Sequence, residues 1–404
     1  MRIAVLLALL LGALVSPAQA DPGFRAFIDG LWPDARAQGV SRATFDAATR
    51  DLTPDLSLPD LVLPGRTERQ PDQAEFVQTP ARYLSERNLA RMAEQGRKLA
   101  AQHRQTLARI ERQYGVPGSV ILAIWGRETA FGAAKLPHNA IRVLATQAYV
   151  GRRKAQFRQE FLLALKMLQD GHVKADDMRA SWAGAMGHTQ FLPSDFYKNA
   201  VDFDGDGRID IWRSIPDALA SAAKQLVDKG WQRGRHWAHE VIVPANVDCT
   251  VAHPGHTVAL GEWVRRGFAV AGGRKPGTEA MAEHVSLLMP EGAYGPAFLT
   301  PKNYYVIKDY NFSDLYVLFV GNLADRIAGG GPFKTPWSKN KQLRTADVES
   351  MQRRLTQAGL YKDKIDGKAG MLTRAALGAY QKANGLKVDC WPTADVLEHM
   401  RRVR

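Results

Sequence analysis

The segment Gly118-Ser-Val-Ile-Leu-Ala-Ile-Trp-Gly-Arg-Glu-Thr-Ala-Phe-Gly132 constrains the fold more than any other stretch of the chain. Val120, Ile121, Ile124 and Trp125 recur at helical spacing, and Pro117 suits the start of such a helix, where a missing N–H loses no partner. Glu128 stands four residues after Ile124 and seven after Ile121, which puts its carboxyl on the apolar face. Two readings follow. Glu128 is either an acid desolvated beside Trp125 and Phe131, with its pKa raised because burial disfavours the charged form, or an ordinary glutamate at an exposed helix end.

Some fifty residues later comes Ser181-Trp-Ala-Gly-Ala-Met-Gly-His-Thr-Gln-Phe-Leu-Pro193, in which Gly184, Ala185 and Gly187 permit close backbone approach. Gly126-Arg-Glu-Thr paired with Ala183-Gly-Ala-Met-Gly and Gln190-Phe-Leu-Pro resembles the lytic murein transglycosylases of the membrane-bound lytic transglycosylase B family. Members of that family cleave the glycan strands of peptidoglycan. The resemblance covers about Thr79 to Ile327 and the last fifty or so residues. It implies that Glu128 is the catalytic acid and that Ser181 and Gln190 line the cleft as hydrogen-bond partners. It implies further that Arg152 and Arg153 face anionic groups of the substrate, and that Tyr304, Tyr310 and Asn311 belong to a segment returning to the cleft with sugar-stacking aromatics. Tyr83, in Pro80-Ala-Arg-Tyr-Leu, matches another cleft aromatic. Read singly, each has a plainer alternative: a turn serine, a solvated basic helix start, core tyrosines.

Breaking a glycosidic bond passes through an oxocarbenium-like state and needs a proton for the leaving sugar. Most glycosidases add a second carboxylate, and the motif singles out none. In the resembling family the C6 hydroxyl of N-acetylmuramic acid attacks its own C1 to give a 1,6-anhydro sugar. An internal nucleophile has a large effective molarity, so one residue acting first as acid and then as base suffices. Glu128 would play both parts, with no cofactor for catalysis. The rival readings are a hydrolytic muramidase and a non-catalytic wall-binding protein.

Asp202-Phe-Asp-Gly-Asp-Gly-Arg-Ile-Asp210 offers oxygens at loop positions 1, 3 and 5 (Asp202, Asp204, Asp206), glycine at 6 and the backbone carbonyl of Arg208 at 7, as an EF-hand calcium loop does. Position 12 is Arg213 instead of a bidentate glutamate. The resembling family closes a lengthened loop with a later aspartate, which corresponds to Asp217. A structural calcium ion is the expected occupant, with a metal-free acidic turn as the alternative.

Arg2, a nearly unbroken apolar run from Ile3 to Val15, and Ser16-Pro-Ala-Gln-Ala20 follow the order of a secretory signal cleaved after Ala20. The apolar run is shorter than the ~20 residues a membrane span needs, and no cysteine follows for lipid attachment. A periplasmic protein without a stable membrane anchor is expected. The formal charge of +13, or +12 without Arg2, suits an anionic wall polymer, a membrane surface or mere solubility. The basic residues are dispersed without an aromatic-basic platform, which argues against nucleic acid. Peptidoglycan is the expected partner and a monomer the expected state. Cys249 and Cys390, the only cysteines, read as two buried free thiols, with pairing in an oxidising compartment as the other reading.

At 404 residues several units are expected. Helical patterns run from Phe24 to about Arg50, Ser85 to Tyr114, Lys154 to Leu168, Ile215 to Lys229 and Phe312 to Ile327. Between His239 and Tyr310 lie short β-rich runs: Val241-Ile-Val, Thr257-Val-Ala-Leu, Phe268-Ala-Val, Val285-Ser-Leu-Leu and Tyr304-Tyr-Val-Ile. Ala328-Gly-Gly-Gly-Pro opens a linker over 328–343. Residues 344–404, with Met351-Gln-Arg-Arg-Leu355, Asp366-Gly, Thr373-Arg-Ala-Ala376 and Gly385-Leu, resemble the three-helix peptidoglycan-binding domain, although Cys390-Trp replaces its usual small turn residue near Asp389. The expected fold is mainly α (α+β): a lysozyme-like catalytic region over 21–327 with a small β-sheet inserted at about 239–300, then a tethered, separable three-helix module.

Overall fold

The computed structural model describes residues 22–65, 78–273, 276–338 and 343–403. The expected export signal lies outside them. Among the described residues no helix is long and apolar enough to cross a membrane. The described residues form two compact units, one from those within 22–65 and 138–184 and the other from those within 78–137 and 185–403.

In the first unit, helices Pro22–Gly30, Trp32–Ala37, Arg42–Thr49, Ala140–Val150 and Lys154–Gln169 pack together. Phe24, Ile28 and Leu31 are buried as their spacing requires. Ser41 and Asn139 cap the helices that follow them by accepting from Thr44 N and Arg142 N. The proline-rich stretch lies against helix Ala140–Val150, with Gln147 donating to Pro59 O at 3.0 Å. Strands β1 (His138–Asn139) and β2 (Arg179–Ala180) pair antiparallel.

The second unit is built on helices Glu86–Gln102, Arg104–Tyr114, Gly118–Thr129 and Asp314–Ile327. The amphipathic stretch expected from Ser85 is two helices, broken at His103. Helix Gly118–Thr129 is buried almost all round, which suits a central helix. Strands β3 (His239–Ile242), β4 (Thr257–Ala259), β5 (Ala269–Val270), β6 (His284–Leu288) and β7 (Ala297–Thr300) form an antiparallel sheet in the order β4-β6-β7-β3-β5. Alternation along β6 sends Val285 and Leu287 into a core with Trp263, Cys249 and Cys390. Leu288 and Phe298 join the helical core on the other face.

Two expectations are corrected here, and the segment joining the two parts has contacts of its own. Tyr304-Tyr-Val-Ile is not a strand but part of helix Lys302–Asn311, because Asn303, Tyr304, Val306 and Ile307 bury against the helical core and packing overrides β propensity. Cys249 and Cys390 are not free thiols: they form a disulfide joining the segment after β3 to the C-terminal module. The described part of the linker, residues 328–338, is held along the sheet. Phe333 packs edge-on against Phe298 with ring centroids 4.9 Å apart, the Lys334 and Thr335 N–H groups donate to the Glu240 carboxylate, and Ser338 N donates to Glu291.

The C-terminal module has the three expected helices, Thr345–Gln357, Met371–Ala383 and Ala394–Arg402. It docks on the rest of this unit. Ala293 N donates to Asp389 O at 2.9 Å, the Tyr294 hydroxyl to Asp389 Oδ2 at 2.6 Å, and the Arg374 guanidinium pairs with Asp314.

Candidate active site

Glu128 is the penultimate residue of helix Gly118–Thr129, and the turn that ends this helix is unusual. Ala130, Phe131 and Gly132 have φ of 49°, 59° and 83°, three successive residues in the left-handed region that only glycine enters freely. Specific bonds hold them there. Thr129 Oγ1 donates to His188 O at 2.7 Å and accepts from Gly132 N at 3.1 Å, while Ala130 N and Phe131 N bond back to Gly126 O and Trp125 O. Trp125 Nε1 donates to His188 Nδ1 at 3.1 Å. Burial lowers the His188 pKa, only partly opposed by Asp210, so a neutral ring is favoured to accept that bond. Phe131 folds back over Gly126, where a Cβ would lie 2.7 Å from its ring, and this explains the glycine two residues before the acid. Within the motif after Ser181, His188 thus bonds to Trp125 and Thr129 at the helix end that presents Glu128.

Glu128 is half-buried, and Tyr316 Oη donates to its Oε1 at 2.5 Å. The Tyr310 ring lies nearly parallel to Tyr316, with centroids 6.3 Å apart and an interplanar angle of 10°, and its hydroxyl donates to Thr189 O. Burial and then the Glu128 charge push both tyrosine hydroxyls well above their ordinary value, so both keep their protons at neutral pH. Arg127 lies over the rings of Tyr83 and Phe319 and donates to Tyr83 Oη at 2.9 Å. Burial alone would lower its pKa, but Tyr83 and Glu128 outweigh that and hold it above the ordinary value. The carboxyl thus has a hydroxyl donor on one oxygen and a fixed cation on the neighbouring residue.

Of the residues expected in the site, this unit brings Glu128 and Tyr310 together and places Tyr83 against Arg127. Gln190, in the left-handed region at φ 59°, donates to Gly187 O at 3.1 Å. Asn311 ends its helix half-buried, and the exposed Phe312 after it also has a left-handed φ, 45°. Tyr304 is corrected: it is fully buried, its hydroxyl donates to Asp314 Oδ1 at 2.7 Å, and no face is left for a sugar. Ser181, Arg152 and Arg153 belong to the other unit. There Ser181 O accepts from Gly184 N, and both arginines meet the buried Asp60, at 3.1 Å and 3.5 Å. The pair is therefore anchored by a carboxylate rather than being a freely solvated helix start. Gly184 and Gly187 both have positive φ, and a Cβ would lie 2.3 Å from Leu144 Cδ2 at the first and 2.7 Å from Ile211 O at the second.

Sequence reasoning missed Tyr316, Arg127, His188 and Thr129. A tyrosine within Leu315-Tyr-Val-Leu-Phe reads as core, and the one available signal is its position in the first turn of a helix capped by Ser313, six residues after Tyr310.

Carboxylate oxygens of Asp202, Asp204 and Asp217 lie within 4.8 Å of one another, the one such cluster of three or more found among the described residues. Gly205 and Gly207, with φ of 82° and 85°, turn the loop back so that their N–H groups reach Asp202. Asp217, in the first turn of helix Ile215–Asp228, accepts from Phe203 N and Asp210 N. Asp206 stands outside the cluster and accepts from Arg208 N. Three hard anionic oxygens at this spacing fit a calcium ion.

The "Transglycosylase SLT domain" family profile matches residues 23–325, and a peptidoglycan binding domain profile matches residues 344–400. The chain is 31% identical over 235 residues to membrane-bound lytic murein transglycosylase B of Escherichia coli (strain K12), an alignment covering 56% of this chain and 61% of that relative. The crystal structure of SltB3 from Pseudomonas aeruginosa in complex with NAG-anhNAM-pentapeptide is similar at 38% identity and TM-score 0.84, covering 95% of this chain and all of that one. Escherichia coli lytic transglycosylase Slt35 in complex with calcium is similar at 26% identity and TM-score 0.60, covering 76% of this chain and 93% of that one.

Proposed function

Because the chain belongs to the transglycosylase SLT family, we propose that it is a lytic transglycosylase of peptidoglycan, cleaving the β-1,4 bond between N-acetylmuramic acid and N-acetylglucosamine and leaving a 1,6-anhydro-N-acetylmuramic acid end. The observation that carries this reading is the half-buried carboxyl of Glu128, held by Tyr316 beside Tyr310 and Arg127.

In the first step the Glu128 carboxyl gives its proton to the glycosidic oxygen as the C1–O4 bond breaks. The C6 hydroxyl oxygen of the same muramic acid then bonds to C1, and its proton passes to the Glu128 carboxylate. Water is not consumed and the acid is regenerated. Tyr316 donates to the carboxylate formed between the two steps, and Arg127 is a fixed positive charge on the adjacent residue, so both ease proton release. Ser181, Gln190, Tyr83, Asn311 and the Arg152-Arg153 pair are assigned to substrate contacts. Calcium would be held by Asp202, Asp204 and Asp217 with the Arg208 carbonyl and would stabilise the loop without chemistry. The protein would act in the periplasm, its C-terminal module on the wall.

The test is mass spectrometry of products from purified sacculi. Anhydro ends are expected, whereas reducing ends one water heavier would establish a hydrolytic muramidase instead. Glu128→Gln should abolish release while the protein stays folded, and wild-type turnover in that variant would remove the acid assignment.

A further inference from the structure

A buried ion pair in the seam between the C-terminal module and the helical core lies two residues along the chain from Tyr316, the hydroxyl donor to Glu128. Arg374, in helix Met371–Ala383, is only 7% exposed. It reaches Asp314 Oδ2 at 3.4 Å, while Lys308 Nζ and the Tyr304 hydroxyl bond to Oδ1 at 2.6 Å and 2.7 Å. Burial opposes ionisation of Asp314, but Lys308 and Arg374 outweigh it and hold the carboxyl below its ordinary value, so the residue is an anion between two cations. Glu291, itself pushed up by burial, is the other acid acting on Arg374. Asp314 is the first residue of helix Asp314–Ile327, and Tyr316, two residues on, donates to Glu128.

We propose that Arg374 is a positioning residue for the reaction: by anchoring Asp314, the C-terminal module sets the first turn of helix Asp314–Ile327 and with it the Tyr316 hydroxyl on the Glu128 carboxyl. This rests on the assignment of Glu128 as the acid. Docking of the module does not depend on Arg374 alone. The Cys249–Cys390 disulfide and the bonds of Asp389 to Ala293 and Tyr294 hold the module at the sheet, away from Asp314 in sequence. Lys308 would still neutralise Asp314 in the absence of Arg374, so what is lost is orientation, not charge balance.

The experiment measures kcat, KM and the pH profile of the full-length protein on soluble glycan fragments for Arg374→Ala, Arg374→Lys, Tyr316→Phe and the Tyr316→Phe/Arg374→Ala double variant. Arg374→Ala is expected to lower kcat about tenfold, as a modest misplacement of a catalytic group does, with KM little changed. Arg374→Lys should recover most of the loss. The alkaline limb of kcat should move in the same direction as in Tyr316→Phe, and the double variant should be no worse than Tyr316→Phe, because both act through one bond. Wild-type kcat and profile in Arg374→Ala would overturn the proposal, and so would losses that multiply in the double variant. Should Arg374→Ala fail to fold, Arg374→Gln, which keeps the side-chain length without the charge, faces the same criteria. Glu128→Gln, run alongside, separates the two readings: residual turnover there removes the acid, whereas an inactive Glu128→Gln with an unaffected Arg374→Ala removes only the positioning role.

Discussion

Breaking the Cys249–Cys390 disulfide should destabilise the protein by an amount that the chain separation sets. The bond closes a loop of 141 residues, and the chain-entropy relation gives about 5 kcal/mol for a loop of that length as the constraint removed from the unfolded state. That is comparable with the whole stability of a typical domain, roughly 5–15 kcal/mol. Both cysteines are 1% exposed, so truncation to alanine would add a cavity term of about 1 kcal/mol or more at each position. Reduced wild-type protein has no such term and isolates the covalent contribution. The assay is urea unfolding of oxidised and reduced protein, with thiol titration of each denatured sample to establish its redox state. With a slope of roughly 3 kcal/mol per M, the reduced midpoint should fall by about 1.7 M. Coincident midpoints in samples shown to differ in thiol content would refute the reasoning, and two free thiols in protein from an oxidising compartment would refute the disulfide itself.

Tyr316→Phe removes a hydroxyl bond to the charged form of Glu128. That bond favours ionisation, so its loss should move the alkaline limb of kcat to higher pH, and a limb that stays put or moves down would contradict the assigned contact. Calcium should raise the melting temperature, since an ion bound only to the folded state stabilises by about 2.7 kcal/mol at a hundred times its Kd; the rise should vanish in Asp202→Ala/Asp204→Ala, and its persistence would place the ion elsewhere. Deleting residues 342–404 should depress turnover of soluble fragments as well as sacculus binding, because it removes Arg374 from Asp314 and exposes the core around Cys249. Turnover equal to the full-length protein would restore the picture of a separable, tethered module.

Much of this protein is legible in its sequence wherever one local pattern decides the outcome. The helical spacing of Val120, Ile121, Ile124 and Trp125 places Glu128 at the end of a buried helix, and the Asp-x-Asp-Gly-Asp-Gly loop brings Asp202 and Asp204 together, but not Asp206, through glycines that alone enter the left-handed region freely. The three helices of the C-terminal module are implied by its resemblance to the three-helix peptidoglycan-binding domain. Tertiary structure decided the rest, because the deciding partner was distant in sequence. Tyr304 to Ile307 has the composition of a strand, yet burial against the helical core makes it a helix and removes Tyr304 from the cleft. Tyr316 meets Glu128 across 188 residues and Arg374 meets Asp314 across 60, separations at which no local periodicity carries information. Cys249 and Cys390 could not be paired from spacing, since cysteine positions alone do not state which backbone segments approach to bonding distance. The glycine-rich opening of the linker reads as flexible, but Phe333 finds Phe298 and the Lys334 and Thr335 amides find Glu240 only once the sheet has formed. A residue's chemistry is local, but its partner is chosen by the packing that brings remote segments together.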